Sequence, residues 1–104
     1  MRVLALMALA LVLSGCAIQT PVIDDLDRRL DDALGEPVAG FVSQLGDPAV
    51  IEADGALTRY GWRHADLVRP CEVELWSDSD GIVRQVSWSG YDRSCRPIVE
   101  QLSQ

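Results

Sequence analysis

The chain of 104 residues reads as α+β: two N-terminal helices packed on a three-stranded antiparallel sheet, with a short C-terminal helix and one disulfide. Three observations lead there. Apolar residues recur at helical spacing from 23 to 45, the period shortens to two from Leu57 onward, and a cysteine pair, Cys71 and Cys95, falls in the later part. Helices grouped ahead of strands, not alternating with them, separate this class from a parallel βαβ order.

Each element has its own signal. Ile23, Leu26, Leu30, Ala33 and Leu34 form one stripe of a first helix, with a run of aspartates on its other face. Pro21 stands just before it and Gly35 just after, the usual asymmetry of start and stop. Pro37 opens a second helix, in which Val38, Phe41, Val42 and Leu45 share a face and Gly46 and Pro48 end the run. "LGEP" at 34 and "LGDP" at 45 are two helix-end signals, not a solenoid repeat. A polar loop is expected over 49–56.

Leu57 to Arg63 is a strand with Tyr60 and Trp62 on one face, and Gly61 between them marks a bulge or a close backbone approach. After a connecting loop, 65–70, Cys71, Val73 and Leu75 alternate with Glu72, Glu74 and Trp76 as a half-buried strand. Asp78-Ser79-Asp80-Gly81 is a turn. The third strand runs from Ile82 to Tyr91, with Ile82, Val86 and Trp88 in phase. Arg84 shares that phase, which requires either a bulge or a place at the strand's exposed end. Pro97 to Leu102 forms the closing helix, with Ile98 and Leu102 inward.

The N-terminus carries an address. Arg2 is followed by eleven apolar residues, Val3 to Leu13. That is the layout of a secretory signal peptide, and it falls short of the about 20 residues needed to span a bilayer. Leu13-Ser14-Gly15-Cys16 resembles the lipobox of bacterial lipoproteins. Small residues at 14 and 15 let an extended backbone enter a peptidase cleft, and the thiol after them is available for alkylation by diacylglycerol. The resemblance implies residues 1–15 as signal peptide, cleavage before Cys16, a lipidated tether over 16–22 with palmitate-type chains, and one periplasmic domain over 23–104. Ala17 stands where an aspartate would signal inner-membrane retention, so the expected location is the outer membrane, periplasmic face. In an oxidising compartment the even pair Cys71 and Cys95 reads as a disulfide. Its loop of about 25 residues is worth roughly 3.5 kcal/mol in the chain-entropy model.

Composition excludes several classes. The net charge is −7, and no basic stripe offers itself to nucleic acid or to anionic lipid through charge. His64 is the only histidine, and no G-x-S-x-G elbow surrounds a serine. "DSDG" lacks the later ligands of a calcium loop, and two thiols with one histidine do not make a zinc site. Glu72 and Glu74 lie two apart on a strand, an ordinary polar face and not an acid/base pair. The expectation is no enzyme, no metal and no cofactor beyond the covalent lipid on Cys16. Trp76 runs out of phase with Val73 and Leu75. It lies either on the outer sheet face beside Glu72 and Glu74, as a partner contact, or beneath the C-terminal helix.

"LGEPVAGFVSQLGDP" resembles the short signature of the SmpA/OmlA lipoproteins, the family of the barrel assembly machinery's E subunit. Gly35, Val42, Leu45, Gly46 and Pro48 match it. "TRYGW", "CEVELWSD", a "DG" turn and "IVRQV" follow in the same order, so the likeness covers about residues 35 to 90, with Tyr60 and Gly81 in looser positions. Glu36 departs from the family's apolar preference, and the cysteine pair and tail helix are additions. The resemblance implies a non-enzymatic outer-membrane lipoprotein. It would act as a protein-interaction module for a periplasmic or outer-membrane protein, an accessory in envelope or outer-membrane protein assembly. The departures keep a second reading open: a periplasmic inhibitor or immunity protein whose acidic face meets a basic lysozyme-like or toxin enzyme.

Overall fold

A computed structural model describes residues 22–103. Helices α1 (Val22–Ala33) and α2 (Val38–Leu45) precede strands β1 (Val50–Asp54), β2 (Leu57–His64), β3 (Cys71–Ser77) and β4 (Val83–Ser89), and helix α3 (Asp92–Leu102) closes the chain. The strands form one antiparallel meander in the order β1-β2-β3-β4.

The expected three-stranded sheet is therefore corrected to four strands. Residues 49–56 hold β1 and its turn. Val50 and Ile51 pair with Gly61 and Tyr60, and the hairpin closes through Gly55-Ala56 with Gly55 at φ 62°. A two-residue loop with glycine first has the twist that matches its flanking strands. All five β1 residues are exposed. Without a buried half, the strand shows no apolar alternation to read.

The second correction concerns α3. It starts at Asp92, not at Pro97, and holds Pro97 inside it. The Ser94 hydroxyl accepts the Tyr91 amide at 3.2 Å and donates to the Tyr91 carbonyl at 3.1 Å, which fastens the helix start. Pro97 removes only the amide that would meet the Arg93 carbonyl. Far from being an appendage on a two-helix layer, α3 packs on α1, α2, β2 and β3.

The strand expected over Ile82 to Tyr91 is β4, limited to Val83–Ser89, and Ile82 forms only an isolated bridge to Pro37. Of the two outcomes open for Arg84, the bulge holds. Ser77 pairs with Val83 and Trp76 with Gln85, leaving Arg84 as the extra residue. It turns outward, its Nε donating to Asp78 Oδ2 at 2.8 Å. The shift brings Val83 into phase with Val86 and Trp88, on the side facing the helices.

The core joins Leu26, Leu30 and Ala33 of α1, Val73 and Leu75 of β3, Val83 of β4, and Ile98, Val99 and Leu102 of α3. Trp62 adds its ring, stacked on Tyr60 with centroids 6.4 Å apart, and its indole N–H donates to the Gly46 carbonyl at 2.9 Å. Cys71 and Cys95 are joined, fully buried, with Cα atoms 5.0 Å apart, so the start of β3 is bonded to the first turn of α3.

The ends of the molecule differ. The Gly35 amide meets the Val83 carbonyl at 2.8 Å, while the Trp88 indole meets Asp27 Oδ1 at 3.1 Å. Helix α1 thus runs antiparallel to β4, and its first residues lie where β4 finishes. The 65–70 loop and the start of α3 share that end. The turns at 55–56 and 78–81 mark the other.

Candidate functional site

Alternation along β3 builds the site. Cys71, Val73, Leu75 and Ser77 are buried against the helices, and Glu72, Glu74 and Trp76 stand half-buried on the opposite face. Antiparallel register extends that face across the sheet in rows. Glu52, Arg59, Trp76 and Gln85 form one row; Val50, Gly61, Glu74 and Ser87 form the next; Arg63, Glu72 and Ser89 form a third. Trp76 is therefore on the outer face, not beneath α3.

Arg59 organises the surface. Its Nε donates to Glu52 Oε1 at 3.0 Å and its Nη1 to Glu74 Oε2. The bonds it donates to Glu52 and then to Glu74 raise the already high pKa of its guanidinium, so it stays charged. The Trp76 indole N–H donates to Asp54 Oδ2 at 2.8 Å, which fixes the ring at the hairpin end. Arg63 and Glu72 stand 3.6 Å apart at the other end. Gly61 sits under this face: a methyl there would lie 3.5 Å from Val50 Cβ. Above it opens a cavity of about 310 Å³, walled by Val50, Arg59, Arg63, Glu72 and Glu74. The β1–β2 and β2–β3 registers run unbroken through the glycine, so it marks no bulge, and 3.5 Å to a side chain is an ordinary van der Waals distance, so it marks no close backbone approach either.

Of the residues the sequence singled out, Trp76, Glu72 and Glu74 come together on this face. The lipobox residues Leu13, Ser14 and Gly15 and the anchor Cys16 lie outside the described residues. Cys71 and Cys95 act as a staple on the buried side. Asp78 of the "DSDG" turn accepts the amides of Asp80 and Ile82 at 2.9 and 3.1 Å. Arg84 foremost, and then the Ile82 amide, hold its carboxyl below the usual carboxylate range. Its oxygens are engaged in shaping a turn. Among the described residues no group of three or more metal-ligating side chains comes together.

Sequence reasoning missed Glu52 and Asp54, because β1 itself was missed. It also missed Arg59, whose role depends on partners seven residues before it and fifteen after. A second missed feature is the 65–70 loop. The Asp66 carboxylate accepts from Tyr91 Oη at 2.6 Å, from Arg93 Nη2 at 2.9 Å and from the Val68 amide at 3.0 Å. The Arg93 bond, then that of Tyr91, hold the Asp66 carboxyl far below the usual range. The same carboxylate pushes the Tyr91 phenol up, so the phenol stays a donor. Leu67 and Val68, at the tip of this fastened loop, are 102% and 78% exposed.

No family model, curated protein or solved structure matches the chain. Its functional reading therefore rests on its own residues.

Proposed function

We propose that this is a lipid-anchored outer-membrane protein whose domain binds another periplasmic or outer-membrane protein through the open face of its sheet, as an accessory in envelope or outer-membrane protein assembly. The supporting observation is the surface itself. A tryptophan held by Asp54 stands beside Arg59, which is clamped between Glu52 and Glu74. Pre-ordered aromatic and arginine side chains are the groups that dominate protein interfaces, because little conformational freedom is lost when they bind. The lipobox-like run ending in Cys16 and the "LG.P" motif supply the location and the class of partner.

The test is crosslinking in intact cells with full-length protein tagged at its C-terminus, followed by gentle envelope solubilisation. Recovery of barrel assembly subunits, reduced about tenfold or more by Trp76→Ala as expected for a central aromatic contact, supports the reading. Recovery unaffected by both Trp76→Ala and Arg59→Glu removes the sheet face from it.

A second reading, an inhibitor or immunity protein, is favoured by α1. Asp24, Asp27, Asp31 and Asp32 are all exposed along that helix, a face complementary to a basic enzyme. Unchanged activity of a panel of cationic muramidases mixed with the protein would count against it.

A further inference from the structure

The loop tip at Leu67-Val68 has no account in the sheet face or the core. Leu67 is as exposed as a side chain in an extended peptide. Yet the loop is tied down: Asp66 binds Tyr91, Arg93 and the Val68 amide, and Arg93 Nη2 also donates to Tyr91 Oη at 2.7 Å. A loop ordered by this many bonds while it holds two aliphatic side chains in water is ordered for something outside the domain.

Its place in the fold indicates what. The loop shares its end of the molecule with the start of α1, because α1 runs antiparallel to β4 and Tyr91 carries Asp66. Val22 follows Cys16 by six residues. Six extended residues span at most about 20 Å. A lipid on Cys16 would therefore tether the domain by this end. The opposite end carries Asp54, Asp78 and Asp80 at its turns.

We infer that Leu67 and Val68 insert into the bilayer that anchors the chain, as a second membrane contact that sets the domain's orientation. This rests on the lipid-anchor reading. The driving force is apolar, since the acidic residues of α1 at that end offset Arg69 and Arg93 beside the loop, and the chain as a whole carries a net charge of −7. Two aliphatic side chains do not retain a free domain on a membrane. On a chain tethered by about 20 Å the local concentration of lipid is high enough for them to settle in it. The strands then stand end-on to the membrane, and the face carrying Arg59 and Trp76 points sideways, toward proteins embedded alongside.

Full-length protein carrying its native lipid tests this, with p-benzoylphenylalanine in place of Leu67, Val68 or, as control, Ser79. Each form is reconstituted into phosphatidylethanolamine–phosphatidylglycerol vesicles, floated, irradiated and analysed by mass spectrometry; the same forms are irradiated in intact cells. Lipid adducts at 67 and 68 are expected to exceed those at 79 by about tenfold, because seven-residue strands of about 23 Å separate the two ends. The excess should persist in high salt. Flotation without excess adduct at 67 and 68, or adducts there in cells to protein instead of lipid, overturns the inference and leaves the anchor intact. Failure to float, with Cys16 unmodified by mass, overturns the anchor and the insertion together.

Discussion

At Gly90 the backbone takes φ 143° between β4 and α3, and a Cβ there would sit 2.7 Å from Cys95 Sγ and 3.1 Å from the Cys71 Cα. Both the dihedral and the contact exclude a side chain. Gly90→Ala is expected to destabilise the oxidised protein by roughly 1–3 kcal/mol, read from its urea midpoint. Asp66 carries the other single-residue prediction. Its folded pKa is depressed, so its contribution is complete above the unfolded carboxylate value and is lost only as pH falls through the lower folded one. The methyl NMR signals of Leu67 and Val68 should hold their positions from pH 7 to about 4, the unfolded value, and move only in stronger acid. In Asp66→Asn they should be displaced already at pH 7. Nothing in the residue order "RHADLVRP" announced this role. Asp66 is 25 positions from Tyr91, and only folding brings a carboxylate, a phenol and a guanidinium into one cluster.

At the scale of elements, legibility followed burial. Helix α1 and strand β3 were plain, because each buries one regular face: Leu26, Leu30 and Ala33 on one, Cys71, Val73 and Leu75 on the other. Leu30→Ala should cost about 2–5 kcal/mol, as a truncation inside a packed core, measured by thermal or urea unfolding. Strand β1 was illegible for the opposite reason. It buries nothing, and only its "DG" turn and β-branched start distinguish it from loop. The start of α3 was hidden by Pro97, which reads as a beginning and is in fact interior, tolerated because Ser94 and the disulfide secure the turn before it. The sheet face was half legible. The period-two pattern of β3 placed Glu72, Glu74 and Trp76 on one side, but their partners belong to strands whose register no local pattern specifies.

For the molecule as a whole, the Cys71–Cys95 bond links the start of the inner strand β3 to the helix that packs on α1, α2, β2 and β3. Replacing both cysteines with alanine should lower unfolding free energy by roughly 3.5 kcal/mol if the effect is that of the closed loop, a large share of what a domain this small holds in reserve. The loss is checked by comparing urea midpoints. One end of the molecule contains the disulfide, the Asp66 cluster, the Leu67-Val68 tip and the first residues of α1.

The amino-acid order alone determined the α+β class, the two leading helices, the two central strands and the cysteine pairing. These are local periodicities or short motifs, and their physical cause acts within a few residues. The tertiary structure alone decided the fourth strand, the bulge at Arg84, the central position of α3, the Arg59 clamp and the common end shared by the 65–70 loop and the start of α1. Each of those depends on groups far apart in the chain, whose meeting is set by register and packing and leaves no trace in neighbouring residues.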